Sequence, residues 1–162
     1  MTRNNFLSKL KQEEKLELVE PSEEICESYL EKSANCLKSS KLLLQNNLYE
    51  NSIGMPYYAM YNLVVALMFR VGIKCENHSG SILLLKLLFE KRDLFQFISD
   101  AKEERIDKQY YATTEKKEIT KESSQELLVS AEDFVVKMKV VIKNLSNEYI
   151  DEIREKFEIL TG

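Results

Sequence analysis

With only four glycines and two prolines in 162 residues, the sequence is too poor in turn formers for a strand-rich sandwich. Leu, Lys, Glu and Ser are abundant instead, which favours helices joined by short connections. Cysteine is also scarce. Cys26, Cys36 and Cys75 form no CxxC pair and no Cys/His cluster, so neither a disulfide framework nor a zinc site is indicated, and a reducing cytoplasm fits. No window approaches the roughly 20 apolar residues of a membrane span, and the N-terminal MTRNNFLSKLKQEEKLELVE lacks the continuous apolar core of a signal peptide. A membrane location is therefore not expected. The formal net charge of −4 removes any whole-surface attraction to nucleic acid, so RNA or DNA binding requires a local basic patch.

Signatures of known chemistry are missing as well. There is no GxxxxGK[ST] phosphate loop, no GxGxxG after a strand and no HExxH, so neither cofactor nor metal is expected. Paired acids such as Glu23-Glu24 and Glu103-Glu104 sit among lysines and read as solvated charge. Nucleophilic catalysis of the Ser-His-Asp or Cys-His kind has one imidazole to recruit, His78, and one residue does not make that case.

What is present is helical pattern nearly throughout. A content of 44% hydrophobic residues supports one core and one compact domain. Residues 1–20 read as an N-terminal extension, with Phe6, Leu7, Leu10, Leu16 and Val19 forming a weakly amphipathic helix over Arg3 to Val19. Pro21-Ser22-Glu23-Glu24 supplies a break, a cap and first-turn acids, which opens the domain proper. From Ile25 to Gln45, Tyr29, Ser33, Cys36, Leu37, Ser40, Leu43 and Leu44 recur at three- and four-residue steps, a narrow stripe that allows close packing. Asn46-Asn47 signals a turn, and the next helix runs to Gly72, either kinking at Pro56 or beginning near Met55.

The run ILLLKLLF after Ser79 is apolar on nearly every side and predicts a buried helix. Asp93 is placed to cap a helix through about Tyr111, and the polar stretch from Ala112 to Lys121 reads as a loop. From Ser123 to Leu145, Leu127, Ala131, Phe134, Met138, Val141 and Leu145 form a bundle seam. Ser146 opens a short helix over residues 146–162. The expected fold is all-α: an up-and-down antiparallel bundle of four to five core helices over 22–145, with extra helices at both ends.

One ordered set of segments carries a resemblance. Asn46-Asn47-Leu48-Tyr49, Tyr57-Tyr58-Ala59-Met60-Tyr61, Gly72-Ile73, Asn77-His78-Ser79-Gly80 and Arg105-Ile106-Asp107-Lys108-Gln109-Tyr110 follow one another as in the HEPN superfamily, and within it the small stand-alone prokaryotic subgroup. The chain resembles that subgroup from about Ser22 to Leu145. The resemblance implies a helical bundle, a homodimer, and a minimal nucleotidyltransferase encoded alongside as antitoxin. Active members are metal-independent endoribonucleases with Arg, four to six residues, then His. The arginine fork holds a phosphate while the histidine moves the proton of a ribose 2′-hydroxyl.

In this chain Tyr110 stands where an active member has histidine. A phenol of ordinary pKa about 10 bonds or stacks well but is a poor proton acceptor near neutral pH. The resemblance therefore implies a protein that binds RNA, a nucleotide or the nucleotidyltransferase with weak or no catalysis. Arg105, Lys108, Gln109 and Tyr111 are the ligand-binding candidates, and Arg105 and Gln109 are i,i+4 neighbours. The alternatives are an endoribonuclease toxin using Arg105, with Tyr110 or His78 positioning or moving the proton, and a purely structural interaction module. His78 has a bland use too, because Asn77 or His78 is placed to cap the helix that follows. Pro56 takes the place of the basic residue that relatives commonly carry just before Tyr-Tyr-Ala, which removes a charge from a ligand-facing helix.

Overall fold

The computed structural model describes residues 3–110 and 119–162, with side chains described for 5–106 and 119–162. Eight helices and one small two-stranded antiparallel ladder make up the described chain: α1 (Arg3–Gln12), β1 (Leu16–Leu18), α2 (Glu23–Gln45), α3 (Tyr49–Ser52), α4 (Gly54–Arg70), β2 (Ile73–Cys75), α5 (His78–Leu87), α6 (Arg92–Tyr110), α7 (Lys121–Lys143) and α8 (Asn147–Thr161). The fold is the expected all-α bundle. Helix α4 lies at its centre and packs against α2, α3, α5, α6, α7 and β2. Its Tyr57, Met60, Leu63, Val64, Leu67 and Met68 anchor a core completed by Leu84 and Leu85 of α5, Ile98 of α6, Phe134 and Met138 of α7, and Ile153 and Phe157 of α8. Contrary to the expectation that no window approaches a membrane span, Tyr49–Arg70 is long and apolar enough by composition to cross one; it is a core helix here, with 72% of its apolar window buried inside the bundle.

Side-chain caps set the starts of α2, α5, α7 and α8. Ser22 Oγ accepts from Ile25 N at 3.1 Å, and Ser146 Oγ accepts from Tyr149 N at 3.1 Å. Helix α7 begins at Lys121, slightly before the expected Ser123, because Thr120 and Ser123 cap each other reciprocally. Asp93 lies inside the first turn of α6, not ahead of it, and complements the helix dipole from there. Asn47, at φ 59°, ends α2 in a left-handed cap, with Leu48 N bonding Leu43 O and Asn47 N bonding Leu44 O.

The expected N-terminal helix is shorter than its apolar pattern. It stops at Gln12, Glu14 adopts φ 57°, and Lys15 N and Glu14 N bond Leu10 O and Lys11 O. This is the left-handed helix stop usually made by glycine. It turns Leu16–Leu18 into a strand antiparallel to β2, with Leu16 opposite Cys75 and Leu18 opposite Ile73. The extension is docked through buried Leu7, Leu10 and Leu16. Burying each such side chain is worth roughly 1.5–3 kcal/mol, which offsets the ordering cost of a short segment. Gly80 makes this approach possible, since a Cβ there would meet Leu10 Cδ1 at 2.7 Å.

At the far end of β1, Arg154 of α8 gathers three carbonyls. Its Nη1 donates to Val19 O, Val71 O and Gly72 O at 2.8, 3.1 and 3.0 Å. Gly72, at φ 74°, has no room for a Cβ, which would collide with that nitrogen and with Val19 O.

Pro56 neither kinks α4 nor weakens it. It is the third residue of a helix that begins at Gly54, where the backbone N–H would have no intrahelical need. The carbonyl its missing N–H would have served is Ser52 O, and Ser40 Oγ of α2 donates to it at 3.3 Å. The neighbouring break is covered likewise, with Tyr49 O accepting from Ser52 Oγ at 2.8 Å and Ser124 Oγ at 3.3 Å. Ser33 Oγ donates to Ala59 O at 2.7 Å from the same α2 stripe. Removing the Ser40 hydroxyl strands a buried carbonyl, at a cost of about 1–2 kcal/mol. We expect Ser40→Ala to lower stability in urea unfolding by that amount. A Pro56→Ala change in the same chain should recover part of it, because the new N–H reaches Ser52 O; full additivity of the two changes would contradict this account.

Candidate functional site

Helices α4, α5 and α6 meet at the start of α5, and the chemistry-bearing side chains collect there. Asn77 takes the cap, its Oδ1 accepting from Gly80 N at 2.8 Å. His78 is thereby released from capping and becomes the first residue of α5. Its Nδ1 lies 2.9 Å from Tyr57 Oη, and its ring stacks on Tyr61 with centroids 3.7 Å apart at 15°. Tyr61 Oη in turn lies 3.4 Å from Ser81 Oγ. Tyr57 and Tyr61 share one face of α4, as four-residue spacing requires, and their rings run nearly parallel at 12°. Tyr57 is only 2% exposed, whereas Tyr58 turns outward at 37%.

Helix α6 brings the cations. The Arg105 guanidinium carbon sits 5.0 Å from the ring centroids of both Tyr57 and Tyr58, close enough for cation–π attraction to each. One turn earlier, Lys102 Nζ donates to Ser79 Oγ at 2.6 Å. Lys102 and Arg105 are three apart and so share a face of α6. The result is a chain of contacts in which Tyr57 touches Arg105 on one side and His78 on the other.

Burial and charge tune these groups together. His78 is held below the ordinary imidazole value, first by burial and then by the positive Lys102 and Arg105. Lys102 is also lowered, by burial and by Arg105. Burial pushes the phenols of Tyr57 and Tyr61 up, so both stay protonated. The site at neutral pH is thus a neutral imidazole and neutral phenols beside permanent positive charge. It can hold an oxyanion, and the outward ring of Tyr58 can stack on a planar group.

Of the residues expected from sequence, Arg105 and His78 are brought together although they lie on different helices. Lys108, Gln109 and Tyr110 fall on the last turn of α6, with side chains outside the described set, and Tyr111 lies outside the described residues. Three participants were not anticipated: Lys102, Ser79 and Tyr57 as the link between Arg105 and His78. The i,i−3 position of Lys102 relative to Arg105 was the available signal. Among the described residues no group of three or more His, Cys, Asp or Glu is placed to hold a metal ion. Two surface grooves lie elsewhere, about 630 Å³ beside Lys11, Glu17 and Lys74, and about 470 Å³ beside Arg92, Asp133 and Lys137. Both mix charges of opposite sign without a converging set, which leaves the α4–α5–α6 junction as the candidate site.

The depressed imidazole has a stability consequence. Its folded pKa is below the unfolded value of about 6.5, so the unfolded chain binds more protons in the mildly acidic range. His78 therefore contributes a loss of stability that begins as pH falls through about 6.5 and continues down to its folded pKa. We expect urea midpoints measured between pH 7.5 and 5 to fall more steeply for the native chain than for His78→Gln. Parallel profiles would mean that the ring titrates as it does in solvent.

The sequence pattern of the HEPN domain matches residues 26–142, a span that contains Tyr57, His78, Lys102 and Arg105. A Methanocaldococcus jannaschii protein named as a candidate toxin is 30% identical over 126 residues, covering 74% of this chain and 84% of that protein. A second candidate toxin of the same organism is 27% identical over 67% of this chain and 82% of its own length. A UPF0332 protein of Thermotoga maritima is 27% identical over 76% of this chain and 95% of its length. The match runs through all three helices that build the site, and the chain belongs to the HEPN domain family.

Proposed function

We propose that this chain is a HEPN protein of toxin–antitoxin type that binds RNA or a nucleotide at the α4–α5–α6 junction, with weak or no catalysis. The observation that carries this reading is the placement of Arg105 and Lys102 on one face of α6, against Tyr57, Tyr58 and His78. In a chain of net charge −4 this is the local basic patch that phosphate binding requires. Phosphate affinity comes from the two cations, and the half-exposed Tyr58 ring offers a surface on which a base stacks. The relatives named as candidate toxins support the toxin–antitoxin class. A minimal nucleotidyltransferase is the partner this reading implies. Weak catalysis follows from Tyr110 standing in the place of the motif histidine.

A second reading, metal-independent RNA cleavage, is favoured by His78 lying within reach of the Arg105 field through Tyr57. One experiment separates the two. Single-stranded RNA with a fluorescein label should be retained by the native protein, and Arg105→Ala should weaken retention by about tenfold or more without loss of helical circular dichroism. Lys102→Ala should make binding less sensitive to salt. Retention by Arg105→Ala at the native level counts against the binding reading, and cyclic-phosphate ends formed in the presence of a chelator move the assignment to cleavage.

The same reading includes a homodimer. Val129, Val136 and Val140 form an exposed apolar stripe on the face of α7 opposite Ala131, Phe134 and Met138, and this stripe supports it. Light scattering at micromolar protein should give twice the chain mass, and Val136→Lys should shift it to the monomer. A native monomer at that concentration removes this part of the proposal.

A further inference from the structure

The hydrogen bond between Tyr57 and His78 decides what the imidazole can do. Among the described residues, His78 Nδ1 at 2.9 Å is the one hydrogen-bond partner of Tyr57 Oη. Two arrangements satisfy that distance. In one, the phenol donates and Nδ1 accepts. In the other, Nδ1–H donates to the phenol oxygen, and the phenol proton of a residue only 2% exposed then needs a second acceptor that the described residues do not supply. A buried donor without an acceptor is costly, and an imidazole nitrogen is a far stronger acceptor than a phenol oxygen. Both considerations favour the first arrangement.

We infer that Tyr57 fixes His78 in the tautomer with its single proton on Nε2, so that the ring donates to a phosphate oxygen alongside Lys102 and Arg105 and does not serve as a base. A neutral imidazole whose Nδ1 lone pair is engaged and whose Nε2 is protonated has no free lone pair to take a 2′-hydroxyl proton. Tyr57 is in these terms a positioning residue, acting on the ligand through His78. The groups that face the ring are consistent with it: Tyr57 and Tyr61 from α4, and Lys102 and Arg105 from α6. The two cations and burial keep the imidazole neutral, the state in which a tautomer is defined. The identity of the ligand rests on the phosphate-binding reading above; the tautomer does not.

A single histidine makes the test direct. Protein labelled with nitrogen-15 in histidine gives one pair of ring signals, and at neutral pH these should report the Nε2–H form alone. Tyr57→Phe keeps the ring and its packing but removes the donor, and should release the signals toward a mixture of tautomers. A native spectrum of the Nδ1–H form, or a Tyr57→Phe spectrum unchanged from native, overturns the inference. With fluorescein-labelled single-stranded RNA as probe, His78→Ala should lose about tenfold in affinity. His78→Gln, whose amide nitrogen restores a donor near the Nε2 position, should recover most of it. Failure of glutamine to recover it, with alanine impaired, also overturns the donor role. If the native protein binds no RNA but shows the Nε2–H form, the ligand reading fails and the tautomer assignment stands.

Discussion

Everything in this protein is arranged around α4, whose Tyr57, Met60, Leu63, Val64, Leu67 and Met68 lie wholly inside while Tyr58 alone turns outward. A helix that is apolar on nearly all sides must be covered by other elements, and α2, α5, α6 and α7 are the covers. Burial of the helix start also demands that the Ser52 carbonyl, left without a donor because Pro56 has no N–H, find one away from water. That demand explains why α2, which packs along α4, carries Ser40 on its inner stripe. Ser33 and Ser40 are buried polar groups with specific carbonyl partners at Ala59 and Ser52. They let the backbones come close, and they tolerate the proline.

The same packing places the residues of the candidate site. Tyr57 belongs simultaneously to the core and to the site. Its ring packs with Tyr61 and its hydroxyl emerges at His78, while Arg105 rests against its face. The site is thus built on three helix segments, where side chains are held more firmly than on a loop. Its electrostatics come from the same geometry: positive charge from α6 is set beside an imidazole that is half buried, and the cheapest response of that imidazole is to remain neutral.

Much of the architecture was legible from periodicity and caps. The Ser22 and Ser146 helix starts, the Asn46-Asn47 turn and the Ala131, Phe134, Met138 seam all follow local rules that neighbours do not override. The strand at Leu16–Leu18 was not legible. Its residues continue a helical pattern, and the stop depends on Glu14 adopting a left-handed conformation that glutamate does not advertise. Arg105 and His78 were both singled out from sequence, yet their connection was hidden, because spacing along one helix says nothing about a ring contributed by another. Ile159 is apolar yet 84% exposed, since the face of α8 turned to the core is the one that carries Ile150, Ile153 and Phe157.

The three carbonyls collected by Arg154 give the ends of the chain a particular standing. Val19 closes the first strand, Val71 and Gly72 lead into the second, and the second strand runs on directly to Asn77 and His78. One guanidinium, contributed from beyond the span shared with the family, thereby buckles the beginning, middle and end of the polypeptide at a single knot. The flanking helices are not passengers on a self-sufficient domain. They brace the strand that delivers the imidazole, so the termini and the site belong to one mechanical unit.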